Sequence, residues 1–231
     1  LTAKALGVEL LVHYGHSCLI PMDVKQGFKV LYVFVDIKID PLHLIETIKL
    51  NFTVERKIGL VSTIQFAATL QGVAKDLEAV GYKVTVPQFK PLSPGEILGC
   101  TAPRMTCADV IVYLGDGRFH LEAAMISNPK LEAYKYDPYD KKFTLEGYDH
   151  DKMLQTRSDF IQMAKRAKSF GIIMGTLGRQ GNVKVIKHLE KCLAKKGKNS
   201  VTILLSEIFP NKLNMFSDID AFVQVACPRL S

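Results

Sequence analysis

Two cysteines occur in sequence contexts that favour chemistry over packing. Cys227 follows the apolar run Ala221–Ala226 and comes two residues before Arg229, so we expect it at the tip of a buried strand, beside a cation. Cys100 belongs to the segment Gly99–Arg104, where prolines and glycines predict a loop at the start of a helix. Backbone N–H groups there would stabilise a thiolate. A structural cysteine in a turn is the alternative for Cys100.

The other three of the five cysteines are interpreted as structural, with Cys18 at a packed strand end and Cys107 and Cys192 in helical surroundings. None forms a CxxC pair, and no secretory leader opens the chain, so we expect reduced thiols in the cytoplasm. A metal site would have to be assembled from distant segments. The segment His13–Cys18 also allows a Cys–His nucleophile or metal ligands, although no metal motif results.

Two glycine-containing loops follow predicted strands. Gly115–His120 would let a ligand approach its backbone closely, whereas a structural loop with an Asp116–Arg118 ion pair is the alternative. Gly175–Asn182 leads into a lysine-rich helix, whose N-terminal amides could bind a carboxylate or phosphate. This second loop matches neither GxGxxG nor the P-loop, and an ordinary strand-to-helix turn is its alternative.

The chain carries a net charge of +7, and its lysines concentrate in residues 184–198. Their spacing places most of them on one helix face. A solvated face is the preferred interpretation, and a surface for an acidic or RNA-rich partner is the alternative. No aromatic stacking motif supports direct nucleic-acid binding, and no apolar run is long enough to span a bilayer. We therefore expect neither nucleic acid nor membrane as a partner.

Short apolar segments alternate with amphipathic ones along the chain. Near-continuous apolar strands between helices predict an α/β fold with small, mostly parallel sheets. The predicted strands are Glu9–Tyr14, Val30–Val35, Ile58–Ser62, Lys83–Val86, Val110–Leu114, Ala133–Tyr136, Gly171–Met174, Val201–Leu205 and Ala221–Ala226. The predicted helices are Pro41–Leu50, Ile64–Val80, Lys152–Ser169 and Val183–Lys196.

Similar strands recur three times, at Leu10–Gly15, Val110–Gly115 and Ala221–Ala226, with Asp220 matching Asp109. The recurrence predicts three pseudo-symmetric α/β repeats whose loops converge on a central site. One cysteine from each repeat would suit a three-thiolate cluster with an open coordination position. The predicted domains are residues 1–56, 57–150 and 151–231. Because the chain begins without methionine and ends just after a strand, we expect a fragment trimmed at both ends.

Several longer blocks, taken together and in order, resemble the diphthamide-synthesis family. The similarity covers essentially the whole chain, and the longer blocks are specific. The blocks are His13-Tyr-Gly-His-Ser-Cys18, Ser62-Thr-Ile-Gln65, Pro91-Leu-Ser-Pro-Gly-Glu-Ile-Leu-Gly-Cys-Thr101, Tyr113-Leu-Gly-Asp-Gly-Arg-Phe-His120, Leu177-Gly-Arg-Gln-Gly181, Leu205-Ser-Glu-Ile-Phe-Pro210 and Gln224-Val-Ala-Cys-Pro-Arg-Leu-Ser231.

This resemblance implies three domains around a 4Fe–4S cluster that is held by one cysteine from each domain. Cys100 and Cys227 match the second and third ligands, whereas the family's first ligand lies just before the part matching Leu1 and is absent here. The implied reaction is the first step of diphthamide synthesis. A 3-amino-3-carboxypropyl radical from S-adenosylmethionine, the co-substrate, adds to the imidazole C2 of a histidine in translation elongation factor 2. The missing CxxxCxxC motif of other radical enzymes agrees with this different bond cleavage.

The resemblance also implies partners and a location. The partners are elongation factor 2 as the protein substrate, a second synthase subunit in a heterodimer, and a small electron-donating iron protein. The implied location is the cytoplasm. Two alternatives stay open: a scaffold subunit without its own cluster, and a quinolinate-synthase-like hydro-lyase, which the quoted blocks fit poorly.

Further residues are predicted to bind S-adenosylmethionine. Arg229 would pair with the methionine carboxylate or tune the cluster, because it follows Cys227 by two residues. Glu207, at a predicted strand end, would contact the amino group. The carboxylate or ribose would lie on the glycine-containing loop formed by Gly178, Arg179, Gln180 and Gly181.

Overall fold

The structure is a computed structural model that describes residue 3 and residues 6–15, 29–176 and 181–226. It confirms the predicted α/β class with small, mostly parallel sheets. Its contacts divide the chain into two compact units, Thr2–Tyr148 and Asp149–Ser231. Within the described residues, no helix has the length and apolar character needed to cross a membrane.

A two-stranded sheet comes first in the chain. Strand β1, Leu10–Tyr14, pairs in parallel with β2, Lys29–Val33. Apolar and polar residues do not alternate in β1, and Leu10, Val12 and Tyr14 on one of its faces are exposed. The pair therefore belongs to the predicted parallel architecture but buries little of its own apolar surface.

A five-stranded sheet forms the main body of the first unit. Its order is β4-β3-β5-β6-β7, and every neighbouring pair is parallel except β6 with β7. The strands are β3 Lys57–Ser62, β4 Lys83–Thr85, β5 Val110–Leu114, β6 Glu132–Asp137 and β7 Lys142–Glu146. The helices of this unit are α1 Pro41–Asn51, α2 Ala67–Ala79 and α3 Phe119–Ser127, and a 3₁₀ turn at Ile64–Phe66 precedes α2.

Both faces of this sheet are covered. Helices α1 and α2 pack on one face, where Leu60 and Val112 are fully buried, and α3 packs on the other, against Ile111 and Tyr113. Burial on both sides explains why β3 and β5 are nearly continuous apolar runs. Strand β7 and helix α3 were not predicted. The polar ends of β7 lie at the edge of the sheet, and α3 follows a loop rich in glycine.

A three-stranded parallel sheet forms the second unit, in the order β10-β8-β9. Strand β8 is largely buried and β9 largely exposed, and no residue of α4 is buried. The buried strand predicted at Ala221–Ala226 is only half-buried as β10. The elements are α4 His150–Arg166, β8 Ser169–Gly175, α5 Val183–Lys195, β9 Asn199–Leu205, α6 Pro210–Leu213 and β10 Ala221–Val225.

The two larger sheets share one topology. In each, a strand, a helix and a parallel neighbour are followed by a third strand that returns to the other side of the first. Asp109, just before β5, accepts a hydrogen bond from the backbone N–H of Lys57 at 3.0 Å. Asp220, just before β10, accepts from Lys168 and Ser169 at 2.8 and 2.9 Å. The predicted correspondence of Asp109 with Asp220 is thus a shared structural role.

The lysine-rich segment forms α5 and the turn after it. Ile186 is buried, while Lys184, Lys187, Lys191 and Lys195 are exposed. A buried isoleucine with lysines exposed on the rest of the helix is the arrangement expected if the lysine-rich face is solvated. The alternative of an acidic or RNA-rich partner on this face stays a prediction.

Candidate functional site

A cavity of about 340 Å³ opens at the carboxyl ends of β3 and β5. Strand β4, which follows β3 in the chain, lies on one side of β3, and β5 lies on its other side. The connections of the sheet therefore diverge between β3 and β5. Ligands of open α/β sheets bind at such switch points. Thr63, Ile64 and Gln65 line the cavity from the end of β3, and Asp116 and His120 line it from the end of β5.

The segment after β2 supplies a second wall of the cavity. Val35 and Ile37 line it there, and Gly15 lines it from the end of β1. The backbone N–H of Ile37 donates to the carbonyl of Gln65 at 2.8 Å. This hydrogen bond ties the segment after β2 to the segment after β3, so two sheets contribute to one cavity.

The loop between β4 and β5 closes the cavity with Ile97 and Leu98. Ser62 donates its backbone N–H to the carbonyl of Gly95 at 2.8 Å and accepts from Ile97 at 3.0 Å. The buried carboxylate of Glu96 accepts from the backbone N–H of Ser93 at 2.9 Å. These bonds pair the loop in parallel with the end of β3, and this places its apolar side chains at the switch point.

Cys100 lies at the tip of a tight turn, two residues beyond the cavity wall. Leu98 and Thr101 exchange backbone hydrogen bonds of 3.0 and 3.2 Å across it. The thiol is exposed and forms no disulfide. The predicted helix start at Cys100 is wrong, because no helix occurs in residues 86–118. A helix dipole therefore does not act on this thiol, and the turn alone presents it.

The Cys100 turn packs against the start of α3. A Cβ atom on Gly99 would lie 1.8 Å from Cε1 of Phe119, so a side chain at this position would overlap the ring. Only glycine permits this approach. The contact brings the Cys100 turn next to the loop Gly115–His120, which lies at the end of β5.

Asn128 anchors the remainder of the same loop. Its buried side chain accepts from the backbone N–H of Met105 at 2.7 Å. The amide group donates to the carbonyls of Pro103 and Ala124 at 3.0 and 2.9 Å. A single side chain at the end of α3 therefore holds the segment that follows Cys100.

Arg118 is bound away from the cavity. Its guanidinium donates to Glu122 at 2.9 Å and to Glu146 at 2.6 Å, and also to the carbonyl of Gly147. The hydrogen bond to Glu122 raises the pKa of Arg118 above its ordinary value, and Glu146 adds to that rise. The Asp116–Arg118 ion pair, which was the alternative interpretation of this loop, is not formed, and Asp116 has no salt bridge within the described residues. The carboxylate therefore remains at the cavity wall.

Tyr113 hydrogen bonds to the loop Gly115–His120. Its hydroxyl donates to the backbone carbonyl of Asp116 at 3.3 Å, and its ring is fully buried. Burial raises the pKa of Tyr113 well above its ordinary value, and the Asp116 carboxylate adds to the rise. The phenol thus stays a neutral donor that holds the turn in place.

The predicted S-adenosylmethionine residues belong to the second unit. Gly178, Arg179 and Gln180 lie outside the described residues, as do Cys227 and Arg229. These assignments therefore remain predictions. The described residues end at Ala226, directly before Cys227. Strand β10, which precedes this cysteine, runs parallel to β8, so the two strands end at the same edge of the sheet.

Gly181 and Glu207, two of the residues predicted to bind S-adenosylmethionine, are described. A Cβ atom on Gly181 would lie 2.6 Å from the carbonyl oxygen of Gly175, so the chain passes close to the end of β8. Asn182 caps α5, its side chain accepting from the backbone N–H groups of Lys184 and Val185 at 2.9 and 3.4 Å. Those amides are thus already bonded. Glu207 is exposed, two residues beyond the end of β9.

Two further described cysteines, Cys107 and Cys192, are not among the residues that line the cavity. Cys107 is exposed in a turn, so its predicted helical surroundings are wrong. Cys192 lies in α5 as predicted, exposed, with its sulfur 3.5 Å from Nε2 of His188. His13 lies in β1, while Cys18 is outside the described residues. Across the described ranges no three His, Cys, Asp or Glu side chains are grouped to hold a metal ion.

Gln65 and Asp116 lie within two of the family-like sequence blocks, but no ligand role is predicted for either from the sequence. The signal that identifies them is their position directly after two strands that become neighbours across the switch point. That signal depends on the strand order, which the sequence pattern alone did not supply.

The chain matches the family described as putative diphthamide synthesis protein over residues 1–231. It is 58% identical over 232 residues to 2-(3-amino-3-carboxypropyl)histidine synthase subunit 1 of Mus musculus, covering 100% of this chain and 53% of the relative. The subunit 1 of Dictyostelium discoideum is 54% identical over 239 residues, covering 100% of this chain and 50% of the relative. The chain thus spans about half the length of these curated relatives.

A solved structure has a similar fold. The crystal structure of Dph2 from Pyrococcus horikoshii with a 4Fe–4S cluster superimposes with a TM-score of 0.76 at 28% sequence identity. The match covers 99% of this chain and 67% of that one.

Proposed function

The chain belongs to the diphthamide synthesis family, and we propose on that basis that its protein catalyses the first step of diphthamide synthesis. The reaction transfers a 3-amino-3-carboxypropyl group from S-adenosylmethionine to the imidazole C2 of a histidine in translation elongation factor 2. The observation that carries the proposal is the exposed thiol of Cys100, held beside a switch-point cavity in a chain 58% identical to a named synthase subunit.

Cys100 is the described residue that would hold a 4Fe–4S cluster in this chain. Thiolates hold such clusters, and the exposed Cys100 thiol forms no disulfide and accepts a hydrogen bond from the Thr101 hydroxyl at 3.7 Å. Cys227 is the second proposed ligand. Bound there, the cluster would supply the electron that cleaves the bond between sulfur and the transferred group.

The protein's own residues position and shield this chemistry. The Leu98–Thr101 turn carries Cys100, and Asn128 hydrogen bonds to the segment that follows it, at Met105 and Pro103. Arg229, Glu207 and the segment Gly178–Gly181 are proposed to bind the methionine part of the substrate. A carboxylate would pair with the arginine and an amino group with the glutamate.

Partners and location are part of the same proposal. A second synthase subunit would form a heterodimer with this one, as the name "subunit 1" of the relatives suggests. A small iron protein would deliver the electron, elongation factor 2 would bind as the substrate, and the cytoplasm would be the location. The three domains, residues 1–56, 57–150 and 151–231, are proposed to surround the cluster. The family match favours neither a cluster-free scaffold nor a hydro-lyase.

The test is anaerobic reconstitution of the full-length protein with iron and sulfide. We expect the visible thiolate-to-iron absorbance and bound iron in the wild-type protein, and their loss in Cys100→Ala and Cys227→Ala. Cys107→Ala is the matched control, because Cys107 is exposed in the same loop but outside the Leu98–Thr101 turn. Transfer to elongation factor 2 is then followed by mass spectrometry with the second subunit present.

Two results would contradict the proposal in different ways. Full absorbance in the Cys100→Ala protein would remove Cys100 from the ligand set. Transfer activity without any cluster in this subunit would instead support the scaffold alternative.

A further inference from the structure

Glu96 is the one charged side chain that is buried among the described residues, with 1% of its surface exposed. Removing a carboxylate from water costs free energy unless hydrogen bonds compensate for the lost hydration. Glu96 lies four residues before Cys100 and is not among the residues that line the cavity. We propose that Glu96 is a positioning residue for the Cys100 thiolate, an inference that rests on the proposed function.

The Glu96 carboxylate closes the turn formed by residues 93–96. Its Oε2 accepts from the backbone N–H of Ser93 at 2.9 Å, and the backbone N–H of Glu96 donates to the carbonyl of Ser93 at 3.0 Å. Pro94 and Gly95, which has φ of +81°, are the residue types that a type II turn prefers at its two central positions. The two ends of the turn are therefore joined twice, once through the backbone and once through the carboxylate.

The closed turn contacts the body of the first unit. A Cβ atom on Gly95 would lie 2.4 Å from Cδ2 of Leu70, a fully buried residue of α2, so the turn packs directly on this helix. Ser62, the last residue of β3, donates its backbone N–H to the carbonyl of Gly95 at 2.8 Å and accepts from Ile97 at 3.0 Å. Glu96 thus lies between two residues that both hydrogen bond to the end of β3.

The connection from this turn to Cys100 is short. Ile97 and Leu98, the two residues after Glu96, are buried. Leu98 then begins the turn that carries Cys100, through its two backbone hydrogen bonds with Thr101. Residues 96–101 contain no helix, so hydrogen bonds and packing within this loop determine where the thiol lies. The carboxylate of Glu96 is part of that hydrogen-bonded frame.

A cluster ligand needs such a frame because its sulfur must meet iron at a fixed place. Residues that hydrogen bond behind metal ligands orient them, and their removal lowers metal affinity roughly ten- to hundredfold. Asn128 holds the segment after Cys100 through Met105 and Pro103. Glu96 holds the segment before Cys100, so a buried polar side chain anchors the loop on each side of the turn.

Amide hydrogen exchange in the cluster-free full-length protein tests the inference without any transfer reaction. Glu96→Ala removes the acceptor of the Ser93 N–H, so exchange at the Leu98 and Thr101 amides should become roughly tenfold faster or more. Glu96→Gln keeps an acceptor on a side chain of the same length and should exchange as wild type does. Glu96→Asp keeps the charge but shortens the side chain by a methylene, and it should resemble Glu96→Ala.

Two control variants separate positioning from a general loss of stability. Asp109→Ala removes a hydrogen bond of 3.0 Å from a backbone N–H to a carboxylate at the start of β3, the opposite end from Glu96. Val73→Ala leaves a cavity beside α2, where Val73 is fully buried. Both variants should lower the melting temperature and leave exchange at Leu98 and Thr101 unchanged, because loop amides exchange through local opening.

Iron binding by the reconstituted full-length protein provides a second measurement. Competition with the chelator bathophenanthroline should show that Glu96→Ala lowers the apparent affinity for iron roughly ten- to hundredfold. Glu96→Gln should restore the wild-type affinity, and Asp109→Ala should retain it. Rescue by glutamine would show that the position of the acceptor, and not its charge, holds the cysteine.

The outcomes distinguish this inference from the proposed function. Wild-type exchange at Leu98 and Thr101 in Glu96→Ala overturns the positioning role, whether or not a cluster forms. Acceleration of equal size in Asp109→Ala or Val73→Ala also overturns it. If Glu96→Ala fails to fold, the glutamine and aspartate variants carry the test, and equal exchange in the two rejects the role. Selective acceleration in Glu96→Ala without any cluster in the wild-type protein would keep the role of Glu96 in the Cys100 turn and reject the proposed cluster chemistry.

Discussion

The five-stranded and three-stranded sheets have the same connections but very different burial. In both, an aspartate before the returning strand bonds to the backbone where the first strand begins. Strand β5 is fully buried, whereas its counterpart β10 is only half-buried, and α4 contributes no buried residue. Strand order is thus set by the shared connections, while each sheet's own stability depends on how much apolar surface its helices cover.

The same comparison applies to the residues after the returning strands. Asp116 follows Asp109 by seven residues, and Cys227 follows Asp220 by seven. Equivalent positions in the two repeats therefore carry a carboxylate and a thiol. A repeat can keep its backbone and change its chemistry at the strand ends, because the loops there contribute little to the core.

The largest expected difference between the two sheets is in the cost of removing a leucine. Leu60 in β3 is 0% exposed and Leu204 in β9 is 59% exposed. Leu60→Ala should lower the free energy of unfolding by about 2–5 kcal/mol, since it leaves a cavity in a packed core. Leu204→Ala should change it by about 0.5 kcal/mol or less. Urea unfolding of each variant measures this, and equal losses would refute the contrast in burial.

A smaller loss is expected at the anchor of the Cys100 loop. Asn128→Ala removes the partner of Met105 and leaves a buried N–H group without its acceptor. The free energy of unfolding should fall by about 1–3 kcal/mol. Asn51→Ala is the control, because Asn51 donates to Thr47 at an exposed position. Thermal unfolding compares the two variants, and an Asn128→Ala protein as stable as the control would contradict this anchoring role.

The aspartates shared by the two repeats should have a still smaller effect. Asp109→Ala removes the hydrogen bond to Lys57 and should cost about 0.5–1.5 kcal/mol. Asp220→Ala should likewise expose the amides of Lys168 and Ser169. Amide hydrogen exchange reports both changes. Faster exchange in only one of the two variants would show that the corresponding aspartates do not share a role.

The smallest effect is expected from pH at Asp220. Backbone hydrogen bonds from Ser169 and then Lys168 lower the pKa of Asp220 below its ordinary value of 3.8. A lowered pKa means that the folded state favours the ionised form. This stabilisation is present above pH 3.8 and disappears as the pH falls through the lowered pKa. The protection factor of the Ser169 amide, which is corrected for the intrinsic pH dependence of exchange, should fall over that acidic range in wild type but not in Asp220→Ala.

Most strands and the long helices could be predicted from the sequence, because their apolar spacing is regular. Strand β5 has the predicted bounds, and the helix predicted at Val183–Lys196 ends one residue earlier as α5. The turn at Cys100 could not be predicted. Prolines and glycines indicate that a loop occurs, but the hydrogen bonds between Leu98 and Thr101 decide its shape.

The sequence by itself determined the α/β alternation, the repeat that pairs Asp109 with Asp220, the family and the cysteines worth testing. These follow from local patterns and from blocks of residues that can be compared directly. Only the tertiary structure decided that Arg118 binds Glu146, 28 residues away, and leaves Asp116 at the cavity. The choice of ion-pair partner depends on which strand ends meet across the sheet, and strand order joins segments that the sequence keeps apart.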